Sequence, residues 1–391
     1  MQFETIKPLS HDYLQSIGFG WHSDIDGSDY IDNSIVVISP DEAKAYYDAT
    51  NELYEMFIEA GEYVIEHGLF DELDIPFNLI RAIKKSWEDD HWHLYGRFDL
   101  AGGLDGKPIK LIEFNADTPT MLFESAIIQW ALLKFNGYDE ASQFNSLYEA
   151  LLDNFKRLIL HDEEIEEFEE RYARLGYKIL FSSIEGNIEE EHTVKLLQYI
   201  ASEAGYHSDF EFIDQVEFGS DGVFKAQENF EFWFKLIPWE DIALEEPALA
   251  SILSSIIEHQ QAIILNPPYT LLFQSKGFMK ILWDLFPHHP LLLESSFEPL
   301  ENKKQVAKSC FGREGANVSI INEDGTIDTQ NGGEYANYKT LFQEYVEFLS
   351  DNEGNYYQAS TFYAYEASAL GFRKGGKIMD NASKFVGHRV G

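Results

Sequence analysis

Between Tyr46 and Val64 apolar side chains recur at helical spacing (Tyr46, Leu53, Met56, Phe57, Ala60, Val64), a stripe that reads as core. Ser39-Pro40-Asp41-Glu42 is a capping box with proline at the first helical position, and Gly68 is the natural stop. A shorter helix is expected around Leu79 to Trp87. Farther on, helical patterns near 140 to 160 and 190 to 204 flank a strand-like run, Tyr177 to Phe181. Two more apolar runs, Phe230 to Ile237 and Ala262 to Leu265, read as buried strands, the second ending in the turn Asn266-Pro267-Pro268. This alternation belongs to an α/β or α+β core rather than a bundle or sandwich.

The most informative stretch is Tyr95 to Thr120, two strand-like runs joined by a Gly- and Asp-rich connection. Strand side chains alternate faces, so Arg97 and Asp99 share one face and Glu113 and Asn115 share another. A two-residue turn at Asp105-Gly106 pairs Arg97 with Phe114 and separates the two polar sets. A three-residue loop of Asp105, Gly106 and Lys107 pairs Asp99 with Glu113 and gathers all four, and it leaves Leu111, Ile112 and Phe114 as core. The second register is the one expected here. Asp99, Glu113 and Asn115 are then three hard oxygen ligands suited to Mg2+, with Arg97 beside them as a fork for carboxylate or phosphate. An edge hairpin with a solvated polar face and one surface ion pair fits the same window. The loop Asp117 to Thr120 feeds a helix running to about Leu133, whose start offers an anion cradle or an ordinary cap. His91 and His93 precede the hairpin and read as a surface or strand-face feature rather than a metal pair.

Charge narrows the choice of partner. A formal net charge of −39 over 391 residues disfavours nucleic acid and favours a cationic or metal-bearing ligand. The acidic run over 162–171 reads as a solvated helix face. A single cysteine, Cys310, excludes a disulfide framework and a C-x-x-C zinc site. No apolar run approaches about 18 residues and the N-terminus carries no basic apolar leader, so a cytoplasmic protein is expected. Oligomeric state is not legible.

From Leu272 to Ile321 the chain presents Gln274-Ser275-Lys276 at the start of a helix and a strand around Lys308. The loop Gly312-Arg313-Glu314-Gly315-Ala316 and a return strand follow. Such a flap can close its backbone N–H groups over phosphates. Two lysines isolated among apolar neighbours, in a chain short of basic residues, favour a nucleotide phosphate. There is no P-loop, no G-x-G-x-x-G opening a helix and no G-x-S-x-G elbow.

The segments YGRFDL, LIEFNADTPT, LLFQSKGFMKILWDLFPHHP, KSCFGREGANV and EASALGFRKGGKIMDNASKFVGHRV, in that order, resemble the synthetase domain of the glutathionylspermidine synthase family. The resemblance covers most of the chain, 1–391, without the amidase domain that some members carry upstream. It implies an α+β ATP-grasp fold, ordered as in eukaryotic glutathione synthetase, with an ATP-binding lid over approximately 266–325. It also implies an ATP- and Mg2+-dependent ligase that joins a peptide or glutathione carboxylate to a polyamine or other amine through an acyl phosphate. By the same resemblance Asp99, Glu113 and Asn115 match the Mg2+ ligands, and Arg97 an arginine at the reacting carboxylate. Lys276 and Lys308 match the ATP lysines and Arg313 the contact to the transferred phosphate, with Gly312 and Gly315 on the flap. Glu366 and Asp380 fall in the tail motif as adenine, ribose or polyamine contacts. The chain departs from the family pattern at Ser309, where proline is usual and its loss is expected to loosen the strand, at Ser275, and at Asn381-Ala382-Ser383-Lys384. An ATP-binding regulatory protein without ligase turnover is the alternative.

Overall fold

The computed structural model describes residues 1–23, 27–160 and 176–391, so the acidic run over 162–171 lies outside the described residues. The longest helix among the described residues, Pro40–His67, begins with the expected capping box: Glu42 N–H donates to Ser39 Oγ (3.2 Å) and Ser39 N–H to Glu42 Oε2 (2.8 Å). Gly68 ends it in the left-handed region. The expected stripe is buried, and Phe57 on it meets Phe98 and Phe114 edge-on and stacks on Phe278. Burying one such ring contributes about 2–3 kcal/mol. This helix lies across an antiparallel sheet in the order Lys384–Val386, Glu366–Gly375, Tyr356–Ala364, Gly96–Ala101, Lys110–Asn115.

A second sheet is wholly parallel, in the order Ile263–Leu265, Phe232–Lys235, Lys178–Ser182, His207–Phe210. The helix Ile188–Glu203 supplies the crossover between its last two strands. The run expected as one strand from Phe230 to Ile237 divides. Phe230 pairs with Val223 in a small antiparallel sheet, and two residues later Phe232 pairs with Ile263 in the parallel one. A third sheet is antiparallel, in the order Ser295–Ser296, Thr340–Glu344, Gln305–Ser309, Ser319–Ile321, Ile327–Gln330. Its strands run on to Glu344, beyond 325. Ser309 holds its place in this ladder opposite Thr340 and is buried, so the absent proline does not loosen the strand.

The hairpin reaches the expected register by an unexpected route. At its tip Lys107 N–H donates to Leu104 carbonyl (3.0 Å), with Asp105 and Gly106 both at positive φ, so the turn is the two-residue one. A β-bulge then corrects the pairing: Asp99 faces Glu113 and Arg97 faces Asn115, whereas Leu100 faces Leu111. The extra residue is Ile112, which is half-buried and lines a cleft instead of joining the core. Leu111 and Phe114 are core as expected.

Beyond the hairpin, the helix starts at Leu122, contains a π-helical turn over Glu124–Ile128 and extends to Phe135, past Leu133. His91 and His93 are buried, not superficial. His93 Nε2 bonds Ala116 carbonyl (2.9 Å), and burial lowers its pKa to about 4.

The hairpin geometry rests on Gly102, whose φ is +78° and where an added Cβ would stand 2.0 Å from the Pro108 carbonyl oxygen. Backbone cannot yield as a side chain can. Gly102→Ala is therefore expected to destabilise the protein by at least about 2 kcal/mol, read as a lowered urea midpoint, and an unchanged midpoint would contradict this.

Candidate active site

Arg97 and Asp99, two residues apart on a fully buried strand, form a bidentate pair: Nε to Oδ1 at 2.9 Å and Nη2 to Oδ2 at 3.0 Å. The third guanidinium nitrogen, Nη1, donates to Thr120 carbonyl (2.9 Å), which ties the loop after the hairpin to its face. Asp99 also accepts from Ser360 Oγ (2.8 Å) and Asn115 Nδ2 (3.2 Å). Arg97, Asp99, Glu113 and Asn115 all line one cleft of about 520 Å³.

The late basic residues enter the same cleft. Lys276 sits between two short helices, Thr270–Gln274 and Phe278–Leu285. Gln274 just before it clamps the hairpin exit, its Oε1 accepting from Ala116 N–H (3.0 Å) and Asp117 N–H (3.1 Å). Ser275 Oγ donates to Leu73 carbonyl (2.8 Å), so the Q-S-K departure gives two fixing contacts ahead of the lysine. Lys276 Nζ reaches Glu113 Oε2 (3.2 Å) and Gly312 carbonyl (2.7 Å). Lys308 is buried on its strand, donating to Ile112 carbonyl (2.8 Å) and Gln343 Oε1 (2.9 Å). It meets protein acceptors instead of snorkelling to solvent.

These groups set one another's charge. Burial alone would raise the Glu113 carboxyl, but Lys276, Lys308 and Arg97 hold it down at about 2. Burial also brings the Lys308 ammonium down to about 8 despite the pull of Glu113. At neutral pH the hairpin carboxylate is ionised and Lys308 is protonated.

Flap residues 312–316, including Gly312 and Gly315, line the cleft as well. Gly315 has φ +70°, and an added Cβ there would lie 2.5 Å from Met379 carbonyl oxygen. Arg313 spans the cleft to the helix Trp239–Glu245, where it pairs with Glu240 and, at 3.5 Å, with Asp241. Burial works against its charge, and these two carboxylates outweigh burial.

Glu366 does not join this set. It is exposed at the tight turn opposite Ala364, accepts a hydrogen bond from the Tyr47 hydroxyl and lines no part of the cleft. Asp380 is structural: its carbonyl takes Arg373 Nη2 (2.6 Å) and its carboxylate Ala382 N–H (3.1 Å), while Met379 and Asn381 on either side line the cleft. Reasoning from the sequence missed the cleft-lining residues Trp21, Tyr30, Glu189, Glu190, Arg373 and Lys377. Burial, then Glu124 and Glu190, push the Glu189 carboxyl up to about 8. In sequence Glu189 and Glu190 look like any acidic first turn, and only the fold turns them inward.

Among the described residues no three His, Cys, Asp or Glu side chains form a metal-binding group. The candidate donors are two carboxylates and an amide, a hard-oxygen set that fits Mg2+ rather than zinc.

Known proteins match at both levels. A Haemophilus influenzae protein named "Putative acid--amine ligase" is 28% identical over 98% of this chain and 97% of its own length. The bifunctional glutathionylspermidine synthetase/amidase of Escherichia coli is 27% identical over 80% of this chain, and the trypanothione synthetase of Crithidia fasciculata 24% identical over 78%. The matches span about half the length of those two proteins, 52% and 48%. In fold, the chain is similar to a glutathione synthetase-like effector of Globodera pallida in its apo form (TM-score 0.57, 9% identity, 98% of each chain), the ATP-grasp architecture expected. The family model described as "Glutathionylspermidine synthase preATP-grasp" matches residues 1–391, and the chain belongs to that family.

Proposed function

We infer that this protein is an ATP- and Mg2+-dependent ligase that joins a carboxylate to an amine through an acyl phosphate. One observation carries the reading. Donors from the hairpin (Asp99, Glu113, Asn115) and cations from about 160 to 210 residues later (Lys276, Lys308) meet in one cleft, within 3.2 Å at Glu113 Oε2 and Lys276 Nζ.

Lys276 and Lys308 bind the phosphates of ATP, which replace Glu113, the Gly312 carbonyl and the Gln343 side chain as their partners. Arg97 holds the substrate carboxylate near the phosphoryl group while Asp99 keeps its guanidinium plane fixed. Asp99, Glu113 and Asn115 are the residues that hold Mg2+, whose chemistry there is to offset the negative charge of the transferring phosphoryl group. The carboxylate oxygen attacks the γ-phosphorus and ADP leaves. The neutral amine nitrogen then attacks the acyl carbon, phosphate leaves with the oxygen, and the proton lost from the nitrogen goes to the departing phosphate. The flap over Gly312 to Ala316 excludes water from the acyl phosphate, and Arg313 stabilises the phosphate as it departs. Glu189 and Glu190 line the same cleft, and their raised carboxyls would ionise when a cationic group lies against them, which supports a cationic amine substrate such as a polyamine.

The test is a purified-protein assay with ATP, Mg2+ and a matrix of peptides and amines. ADP and phosphate forming only when both substrates are present supports ligation. Tight ATP binding without turnover in any combination supports the regulatory alternative. Glu113→Gln should lower kcat at least about 100-fold while circular dichroism stays unchanged, and normal turnover in that variant removes the metal assignment. The pH profile follows from Lys308. It is charged below about 8 and neutral above, so kcat/KM for ATP should fall as pH rises through that value, by about tenfold per unit beyond it. A flat profile up to pH 10 would contradict its role.

A further inference from the structure

Beneath the cleft lies an ion pair that the chemistry above does not use. Lys235 and Asp117 are both fully buried, with Nζ 2.9 Å from Oδ1. Lys235 ends one of the two inner strands of the parallel sheet, and Asp117 follows the second strand of the hairpin by two residues. The pair therefore joins two different sheets.

Its remaining contacts all point the same way. Lys235 Nζ donates to Ile237 carbonyl (2.7 Å) and lies over the Trp239 ring, which fixes the turn 236–238. Asp117 Oδ2 accepts the N–H of Trp239 (2.9 Å), the first residue of the helix that carries Glu240 and Asp241. On the hairpin side, Asn266 Nδ2 donates to the carbonyls of Ala116 (3.1 Å) and Asp117 (2.9 Å). The carbonyl of Asn266 accepts from Trp239 Nε1 (3.0 Å). Thr118 and Thr120 on one side and Leu236 and Pro238 on the other line the cleft floor directly above.

A buried ion pair is a poor source of net stability, because desolvating both charges cancels most of their attraction. What it supplies is direction. Here both carboxylate oxygens and the ammonium are spent on orienting one helix start against one hairpin exit. That helix is where the flap docks, since Arg313 is held by Glu240 and Asp241.

We propose that Lys235 and Asp117 are positioning residues that set the wall helix, and through Glu240 and Asp241 the flap arginine, at the correct distance from the Asp99–Glu113–Asn115 face. Neither residue touches substrate. The pair acts through Arg313, and its catalytic consequence rests on the ligase reading, but its mechanical consequence does not.

The test separates the two. Lys235→Met alone strands a buried carboxylate and invites unfolding, so the informative protein is the double variant Lys235→Met/Asp117→Asn, which removes both charges and keeps an acceptor for Trp239. Its melting temperature should stay within about 5 °C of the parent. Amide hydrogen exchange at Gly312 to Ala316 in the nucleotide-free protein should rise at least about tenfold. With ATP and both substrates, kcat should fall about 100-fold with KM for ATP changed less than about twofold. Glu240→Gln/Asp241→Asn, which takes both carboxylates from Arg313 and leaves the Lys235–Asp117 pair intact, should give the same flap exchange. Parental flap exchange in the folded double variant overturns the proposal, as does parental exchange in the Glu240/Asp241 variant. If the parent itself turns over no substrates, the ligase reading fails, and the exchange measurement still decides the role of the pair.

Discussion

A carboxylate and two ammonium groups can share one cleft only if each offsets the charge of the others, and that balance organises this protein. Glu113 is held ionised by Lys276, Lys308 and Arg97, while Lys308 keeps its proton largely because Glu113 stands near it. In a medium of low effective dielectric the net charge matters more than any single contact. Without nucleotide the lysines rest on Glu113 and on the protein's own carbonyl and amide oxygens. In the proposed reading, phosphate oxygens replace those partners and leave Glu113 free for a cation. Binding then exchanges one balanced arrangement for another, and neither leaves an ammonium stranded.

Three sheets meet to make this possible, and each contributes what its geometry allows. The antiparallel sheet supplies the rigid hairpin face. The third sheet carries Lys308 on a strand and Arg313 on the loop that follows it. The parallel sheet ends beneath the cleft floor, and Lys235, the last residue of its strand Phe232–Lys235, grips the hairpin exit from below. Gln274 and Asn266 complete the fastening with side-chain amides bonded to the main chain of Ala116 and Asp117. A segment whose backbone groups are all satisfied by other elements cannot drift, which is what a site built from distant pieces of chain requires.

Much of this was legible in the sequence, for specific reasons. The capping box and Gly68 marked the long helix because helix ends have strong local chemistry, and the spacing of Tyr46 to Val64 gave its buried face. The polar residues of the hairpin were legible as a set because strand alternation is strict. How they converge was not: the tip is a tight Asp105-Gly106 turn, and the Ile112 bulge restores the register. A bulge depends on what packs against both strands, so no local signal announces it. For the same reason the sequence pattern places Ile112 in the core and the run from Phe230 to Ile237 in one strand. The inward-facing acids Glu189 and Glu190 were invisible because an acidic first turn is the commonest kind. Glu366 shows the opposite failure, since a resemblance in the tail motif assigned it to the cofactor and the fold leaves it exposed beside Tyr47.

The central claim is that donors from the hairpin and cations from the lid form one nucleotide and metal site. Its most direct test is a crystal structure with ADP and Mn2+ in place of Mg2+, using the anomalous signal of manganese to locate the cation. The account predicts an anomalous peak bounded by Asp99, Glu113 and Asn115, with ADP phosphate oxygens on Lys276 and Lys308. A cation bound away from Glu113, or phosphates that leave both lysines on their protein partners, would contradict it.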